Sequence, residues 1–141
     1  MKTPFYLMLF KTQHAQSKKN RETMDEYHLS PGQPKVLRYL NVHQDCKLKD
    51  IADECDIESA TVSKMIDNLE KKEMLTRKIN PKNKRAYQLN ITEIWKRVFK
   101  KWNAHCIEIE NISLKDFSEE EKEQFEDFLN RMYKNLTNKE L

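Results

Sequence analysis

Glycine is nearly missing: Gly32 is the single one in 141 residues. A chain so poor in glycine cannot form the glycine-rich loops that cradle phosphates, which removes the nucleotide-binding enzymes built on them. Cysteine is scarce too, with three residues, an odd number that does not read as a disulfide framework and suits a reducing, cytoplasmic setting. Long hydrophobic runs are absent. The stretch Phe5 to Phe10 is the nearest approach, and Lys11 ends it well short of a signal peptide's apolar segment or a membrane span. Internal repeats and low-complexity linkers are lacking as well. For catalysis the material is thin: His14, His28, His43 and His105 are scattered, and no Ser/His/Asp or Cys/His arrangement can be placed. His105, Cys106 and Glu108 lie close in sequence, but neighbours on a helix point about a hundred degrees apart, so they read as core and surface rather than as a metal set. The chain reads as neither an enzyme nor a cofactor carrier, and no metal site is expected.

What is present is charge and helical periodicity. Charged residues make up 35% of the chain and hydrophobic ones 38%, and the net charge is +3. The distribution is more telling than the sum. Residues 74–92 carry Arg77, Lys78, Lys82, Lys84 and Arg85 and no acid, whereas 47–73 has more acids than bases. A basic patch confined to one segment is the electrostatic footprint expected of a groove binder.

That patch adjoins the most informative stretch, Lys47 to Thr92. Apolar residues at Leu48, Ile51, Ala52, Cys55, Ile57, Val62, Met65, Ile66 and Leu69 fit two short helices crossing steeply over one core, as in a helix-turn-helix. Ala52 falls at the closest crossing, and Asp56 at the sharp turn, where a left-handed residue is needed and Asp is tolerated. Strand-like segments follow at 75–79 and 86–91, with Tyr87, Leu89 and Ile91 alternating toward one face around the turn Asn80–Arg85. A basic hairpin beside a helix-turn-helix is a winged helix. In its second helix Val62, Met65 and Ile66 point inward. Ser59, Ala60, Thr61, Ser63 and Lys64 are left as candidate base and phosphate contacts, small enough to enter a major groove. The cap of that helix is either Glu58 or Ser59.

The remaining segments are helical. Residues 4–27 carry apolar side chains on two faces, Phe5, Met8 and Leu9 on one, Tyr6 and Phe10 on another. Ser30-Pro31-Gly32-Gln33 reads as a helix start with Ser30 at the cap and Pro31 at the first position, which leaves Pro34 as a distortion of the first turn. Val36, Leu37 and Leu40 form that helix's stripe. From Ile91 to Ile112 apolar residues keep helical spacing over about six turns. Ser118 to Glu121 reads as a capping box before a last helix bearing Phe125, Phe128, Leu129, Met132, Tyr133 and Leu136. These terminal helices hold more apolar surface than a small central lobe can cover, which predicts a homodimer.

The segments LSPGQPKVLRYL (29–40), IADECDIESATVSKMIDNLEKKEML (51–75) and RKINPKNKRAYQLNIT (77–92) resemble the MarR family of multiple-antibiotic-resistance regulators over nearly the whole chain. In the family's wing pattern Arg77, Pro81 and Arg85 match. Asn80 and Asn83 stand for its acids, Lys84 for an arginine, and Glu73 and Trp95 occupy usual glycine positions. The resemblance implies a mainly α fold with a small β-hairpin wing and a single MarR-like domain over 1–141. Within it, 30–92 is the DNA-binding lobe, and 1–28 and 93–141 are dimerisation helices. It implies a homodimeric repressor reading a pseudo-palindromic double-stranded operator, with Arg77, Lys82, Asn83, Lys84 and Arg85 as wing contacts and Arg85 reaching the minor groove. It further implies a small aromatic or phenolic effector that relieves DNA binding, in a pocket lined by Tyr6, Phe10, His14, Tyr39, Trp95 and Trp102.

Two regulatory variants of the family fit less well. Metal-sensing relatives place an acid and a His where Pro34 and Lys35 stand, and peroxide-sensing relatives carry a reactive Cys in the first helix, where residues 1–45 hold none. Cys46, Cys55 and Cys106 read as small buried apolar residues. The alternative from another class is a winged helix used as a protein-assembly module, which would lack the steep salt dependence of DNA binding.

Overall fold

The computed structural model runs from Met1 to Leu141; Gln44 is not described, and for residues 83–87 the description is of the backbone. In chain order the described elements are α1 (Phe5–Glu26), α2 (Gln33–Val42), β1 (Asp45–Cys46), α3 (Leu48–Cys55), α4 (Ser59–Lys71), β2 (Leu75–Asn80), β3 (Asn83–Ile91), α5 (Glu93–Ser113) and α6 (Glu119–Thr137). This is a winged helix-turn-helix with long helices on either side of it. The chain divides into two compact units, Met1–Cys106 and Ile107–Leu141, and α5 runs through the boundary.

The first unit is organised by a core in which Val36, Leu37, Ile51, Val62, Ile66, Leu69, Leu89 and Trp95 are sealed from solvent. Each such side chain contributes about 1.5–3 kcal/mol on burial, so the crossing of α3 and α4 is fixed mainly by apolar contact. Ala52 is buried where larger residues would push the helices apart, and Asp56 takes the left-handed conformation (φ 53°, ψ 46°) that ends α3. Its N–H donates to the Ala52 carbonyl, and Ile57 N–H donates to the same oxygen at 2.9 Å. The small residue and the turn residue thus stand where the sequence puts them.

The start of α2 differs from the sequence reading. Ser30 and Pro31 lie in a turn, and the helix begins after Gly32, a left-handed N-cap at φ 86°. Half of the anticipated box survives: Ser30 N–H donates to Gln33 Oε1 at 2.9 Å, and Gln33 N–H donates to the Ser30 carbonyl at 3.1 Å. Moving the start two residues on puts Pro34 in the first helical turn, where its missing N–H has no helical acceptor to lose. The distortion expected there does not arise.

The sheet has three antiparallel strands in the order β1-β3-β2, one more than the expected hairpin. β1 pairs Asp45 with Gln88 and Cys46 with Tyr87, burying Cys46. On the other side Leu75 pairs with Ile91 and Arg77 with Leu89, and β2 and β3 run closer to the turn than predicted. The register breaks between Ile79↔Tyr87 and Asn80↔Asn83, leaving residues 84–86 as extra length on β3. At the tip Lys82 N–H donates to Asn80 Oδ1 at 2.9 Å, closing the turn locally.

Within the first unit α1 meets α5 through Thr23 Oγ1 and His105 Nδ1, hydrogen-bonded at 3.1 Å, and Met24 is the buried residue of α1. Phe5, Tyr6 and Phe10 on the same helix are 63%, 72% and 63% exposed. In the second unit Ser118 Oγ accepts the Glu121 N–H at 3.1 Å, so the expected cap of α6 is in place. α6 buries no residue, and Phe125, Phe128, Leu129 and Leu136 face solvent. Among the described residues no helix is long and apolar enough to cross a membrane.

Candidate nucleic-acid interface

The interface is built on α4. Its apolar stripe, Val62, Ile66 and Leu69, is fully buried, and this fixes which residues look outward. Ser59, Ala60, Thr61 and Lys64 are exposed and Ser63 is half-buried. The cap is Glu58, whose side chain accepts no hydrogen bond from the first turn. The first-turn N–H groups therefore have no side-chain cap, and donors of this kind suit a phosphate oxygen.

The wing meets this helix along β2. Arg77 sends its guanidinium onto α4, 2.7 Å from Asp67 Oδ1 and 3.2 Å from Glu70 Oε1. The hydrogen bond that Arg77 donates to Asp67, with that to Glu70, holds it above the ordinary arginine pKa against the opposing effect of burial. One of the five wing cations is thus engaged with two carboxylates of the recognition helix. Asp67 and Glu70 were not singled out from the sequence. Their three-residue spacing puts them on one helix face, but that β2 lies opposite follows from the fold. Lys78 and Lys82 are exposed. The side chains of Asn83, Lys84 and Arg85 lie outside the described residues.

The six residues expected to line an effector pocket stand in different surroundings. Trp95 is fully buried and Trp102 nearly so, both as members of the core. Tyr39 stacks on His43 with ring centroids 4.2 Å apart, while Phe10 lies 6.0 Å from His14 on a solvent-facing part of α1. Large aromatic rings gain most from full burial, and the core has taken both tryptophans. An open depression of about 630 Å³ does exist, but Glu70, Glu73, Arg77, Thr92 and Glu93 are among its lining, and none of the six is.

Burial raises the pKa of all three thiols, Cys46 to about 11, with Asp50 and Asp45 adding to it, and Lys35 opposes the rise at Cys55. Such thiols stay protonated and unreactive at neutral pH. Among the described residues no three His, Cys, Asp or Glu side chains are grouped to hold a metal ion.

Residues 29–87 match the MarR family. An uncharacterised HTH-type transcriptional regulator, YxaD of Bacillus subtilis (strain 168), is 30% identical over 99 residues, covering 70% of this chain and 69% of that protein. The chain belongs to the MarR family. The HTH-type transcriptional regulator BilQ of Clostridioides difficile (strain CD3) is 30% identical over 86 residues, 56% of this chain and 58% of that one. This MarR-family chain spans about half the length of two of the curated relatives it matches. Among solved structures, that of an S. aureus MepR–DNA complex superposes with a TM-score of 0.78 at 25% identity, covering 96% of this chain and 97% of that one. These relatives are transcriptional regulators and not enzymes.

Proposed function

We propose that this MarR-family chain is a homodimeric repressor that binds a pseudo-palindromic double-stranded operator in the cytoplasm. The observation that carries the reading is the outer face of α4. Ser59, Ala60, Thr61 and Lys64 form a small, polar, solvent-facing surface directly beside a basic wing. Short side chains let the helix enter a major groove, hydroxyls and Lys64 bond to base edges or phosphates, and Lys82 and Arg85 extend the contact to flanking DNA. The MepR–DNA complex is a precedent on this fold.

The dimer is supported by apolar surface that the monomer leaves uncovered. Phe5, Tyr6 and Phe10 on α1, and Phe125, Phe128 and Leu136 on α6, are each at least 43% exposed. Residues 1–28 and 93–141 are read as the dimerisation region and 30–92 as the reading lobe. Release by a small aromatic effector is the family pattern we carry over, with Tyr6, Phe10, His14, Tyr39, Trp95 and Trp102 as its residues. Formation of such a pocket then requires the second copy or a movement that frees the tryptophans.

Selection from a random duplex pool tests this reading. The expected product is a pseudo-palindrome with half-sites about 34–36 Å apart, and Lys64→Ala should cost about 1–3 kcal/mol at one position per half-site. Light scattering should give twice the 17.0 kDa chain mass. Recovery of no sequence, together with binding of random duplex that ignores salt, would favour the assembly-module alternative.

A further inference from the structure

Among the described residues Gln33 is the one buried polar residue, 1% exposed, and its amide is used on both sides. Oε1 accepts from Ser30 N–H at 2.9 Å and from Lys72 Nζ at 3.3 Å, while Nε2 donates to Asn68 Oδ1 at 2.8 Å. Lys72 also donates to the His28 carbonyl, at a residue held left-handed between α1 and α2. Beside this network, Met65 lies on Gly32 so closely that a Cβ there would stand 2.8 Å from the methionine Cε. Met65, Asn68 and Lys72 are spaced by three and four residues along α4 and its cap, so they form one stripe. That stripe is separate from the Val62, Ile66 and Leu69 stripe in the core. The recognition helix is therefore seated on two beds, an apolar one that sets its depth and a polar one at the first turn of α2.

The apolar bed fixes how α4 crosses α3 and how deep it sits, but the attraction that holds it there is non-directional. Hydrogen bonds are directional, and a buried amide left unpaired is costly, so the polar bed admits one rotation and one register. We propose that Gln33 is a positioning residue for DNA reading: through Asn68 and Lys72 it fixes the roll of α4, and so sets selectivity among sequences rather than attraction to phosphate. This rests on the DNA-binding reading above. It adds that a residue on α2, buried away from the exposed face of α4, decides how sharply base edges are discriminated.

The test measures affinity for the selected operator and for random duplex over the same series of salt concentrations, well below each variant's unfolding midpoint. Gln33→Met keeps length and packing but loses all three amide hydrogen bonds. Operator affinity should fall about tenfold while random-duplex affinity and the salt slope stay as they were. Gln33→Glu should restore selectivity, because a carboxylate accepts from Ser30 and Lys72, and Asn68 can turn its amide to donate. Asn68→Ala, which removes one of the two links to the helix and keeps that through Lys72, should give the same loss in smaller measure and serves if Gln33→Met does not fold. Equal weakening on both duplexes, or an unchanged ratio in both variants, overturns the inference. An unmodified protein that prefers no sequence overturns the DNA-binding reading instead, so the two failures are distinct.

Discussion

Arg77 stands between two roles, and replacing it distinguishes them. As a wing cation it would touch a phosphate. As placed, it ties β2 to α4 through Asp67 at 2.7 Å and Glu70 at 3.2 Å. The arginine side chain is 23% exposed and the carboxylates are 52% and 42% exposed, so solvent screens both pairs substantially. Pairs of this kind are worth about 0.2–1 kcal/mol each, and the near ideal Asp67 distance puts that one at the upper end. A double-mutant cycle of Arg77→Ala and Asp67→Ala, read by urea unfolding without DNA, should then give a coupling of about 0.5–1 kcal/mol. Raising the salt should reduce that coupling, because the pair is partly exposed.

The DNA side of the experiment has its own signature. If Arg77 is a strap, Arg77→Ala loosens the wing, and operator affinity drops while the slope against salt concentration is kept. Asp67→Ala should then lower affinity in the same direction, since the strap is broken from either end. A phosphate contact behaves differently: Arg77→Ala lowers the slope by about one per wing, and Asp67→Ala frees the guanidinium and strengthens binding to any duplex. Zero coupling in the cycle together with that drop in slope would falsify the strap.

Glu73 holds a left-handed conformation at φ 60° without glycine's freedom, so Glu73→Gly should stabilise the chain by up to about 1 kcal/mol in thermal unfolding. An unchanged or lower midpoint would mean that its side chain repays the strain. Cys46, raised from 9.0 to about 11, favours the neutral thiol in the folded state. Its contribution is full below pH 9 and is lost as pH rises through about 11, so Cys46→Ala should flatten the fall in the urea midpoint across that window. Alkylation of Cys46 in the native protein at pH 8 should likewise be slow until urea unfolds the chain. At the wing tip, Arg85→Ala should flatten any preference for A·T-rich flanks, whereas Lys82→Ala should weaken all sites alike and reduce the salt slope by about one per wing. Unchanged flank preference in Arg85→Ala would leave binding to α4 alone.

The helix-turn-helix was legible because several independent constraints coincide in register there. Ala52 permits the crossing, Asp56 permits the turn, and the Val62, Ile66 and Leu69 spacing selects the inner face; each restricts the same geometry. β1 was not legible, since two residues carry no periodicity and Asp45–Cys46 becomes a strand only because β3 lies alongside. The start of α2 misled for a related reason. Ser30-Pro31 satisfies the local rules for a cap, but Gly32 can turn left-handed and lie against Met65, a contact 33 positions along the chain, and Gln33 then finds Asn68.

Charge was read least well, and the reason bears on function. Counting bases from 74 to 92 gives a patch of five, but a sequence count cannot show which of them are neutralised from elsewhere. The fold brings Asp67 and Glu70 up to Arg77, so the helix that presents the reading face also draws the wing's first cation onto itself. The same helix is held from its other side by Gln33 and Lys72 through Asn68 and the α1–α2 junction. α4 is thus gripped by polar contacts toward both α2 and the wing, with its apolar stripe on the core and its small polar face left to solvent. If recognition needs α4 at one roll angle, changes at Asp67 and Gln33 should be more than additive in operator selectivity while remaining additive in stability. Additive loss of selectivity would mean that the two contacts act on separate parts of the interface, the wing in one case and the helix in the other.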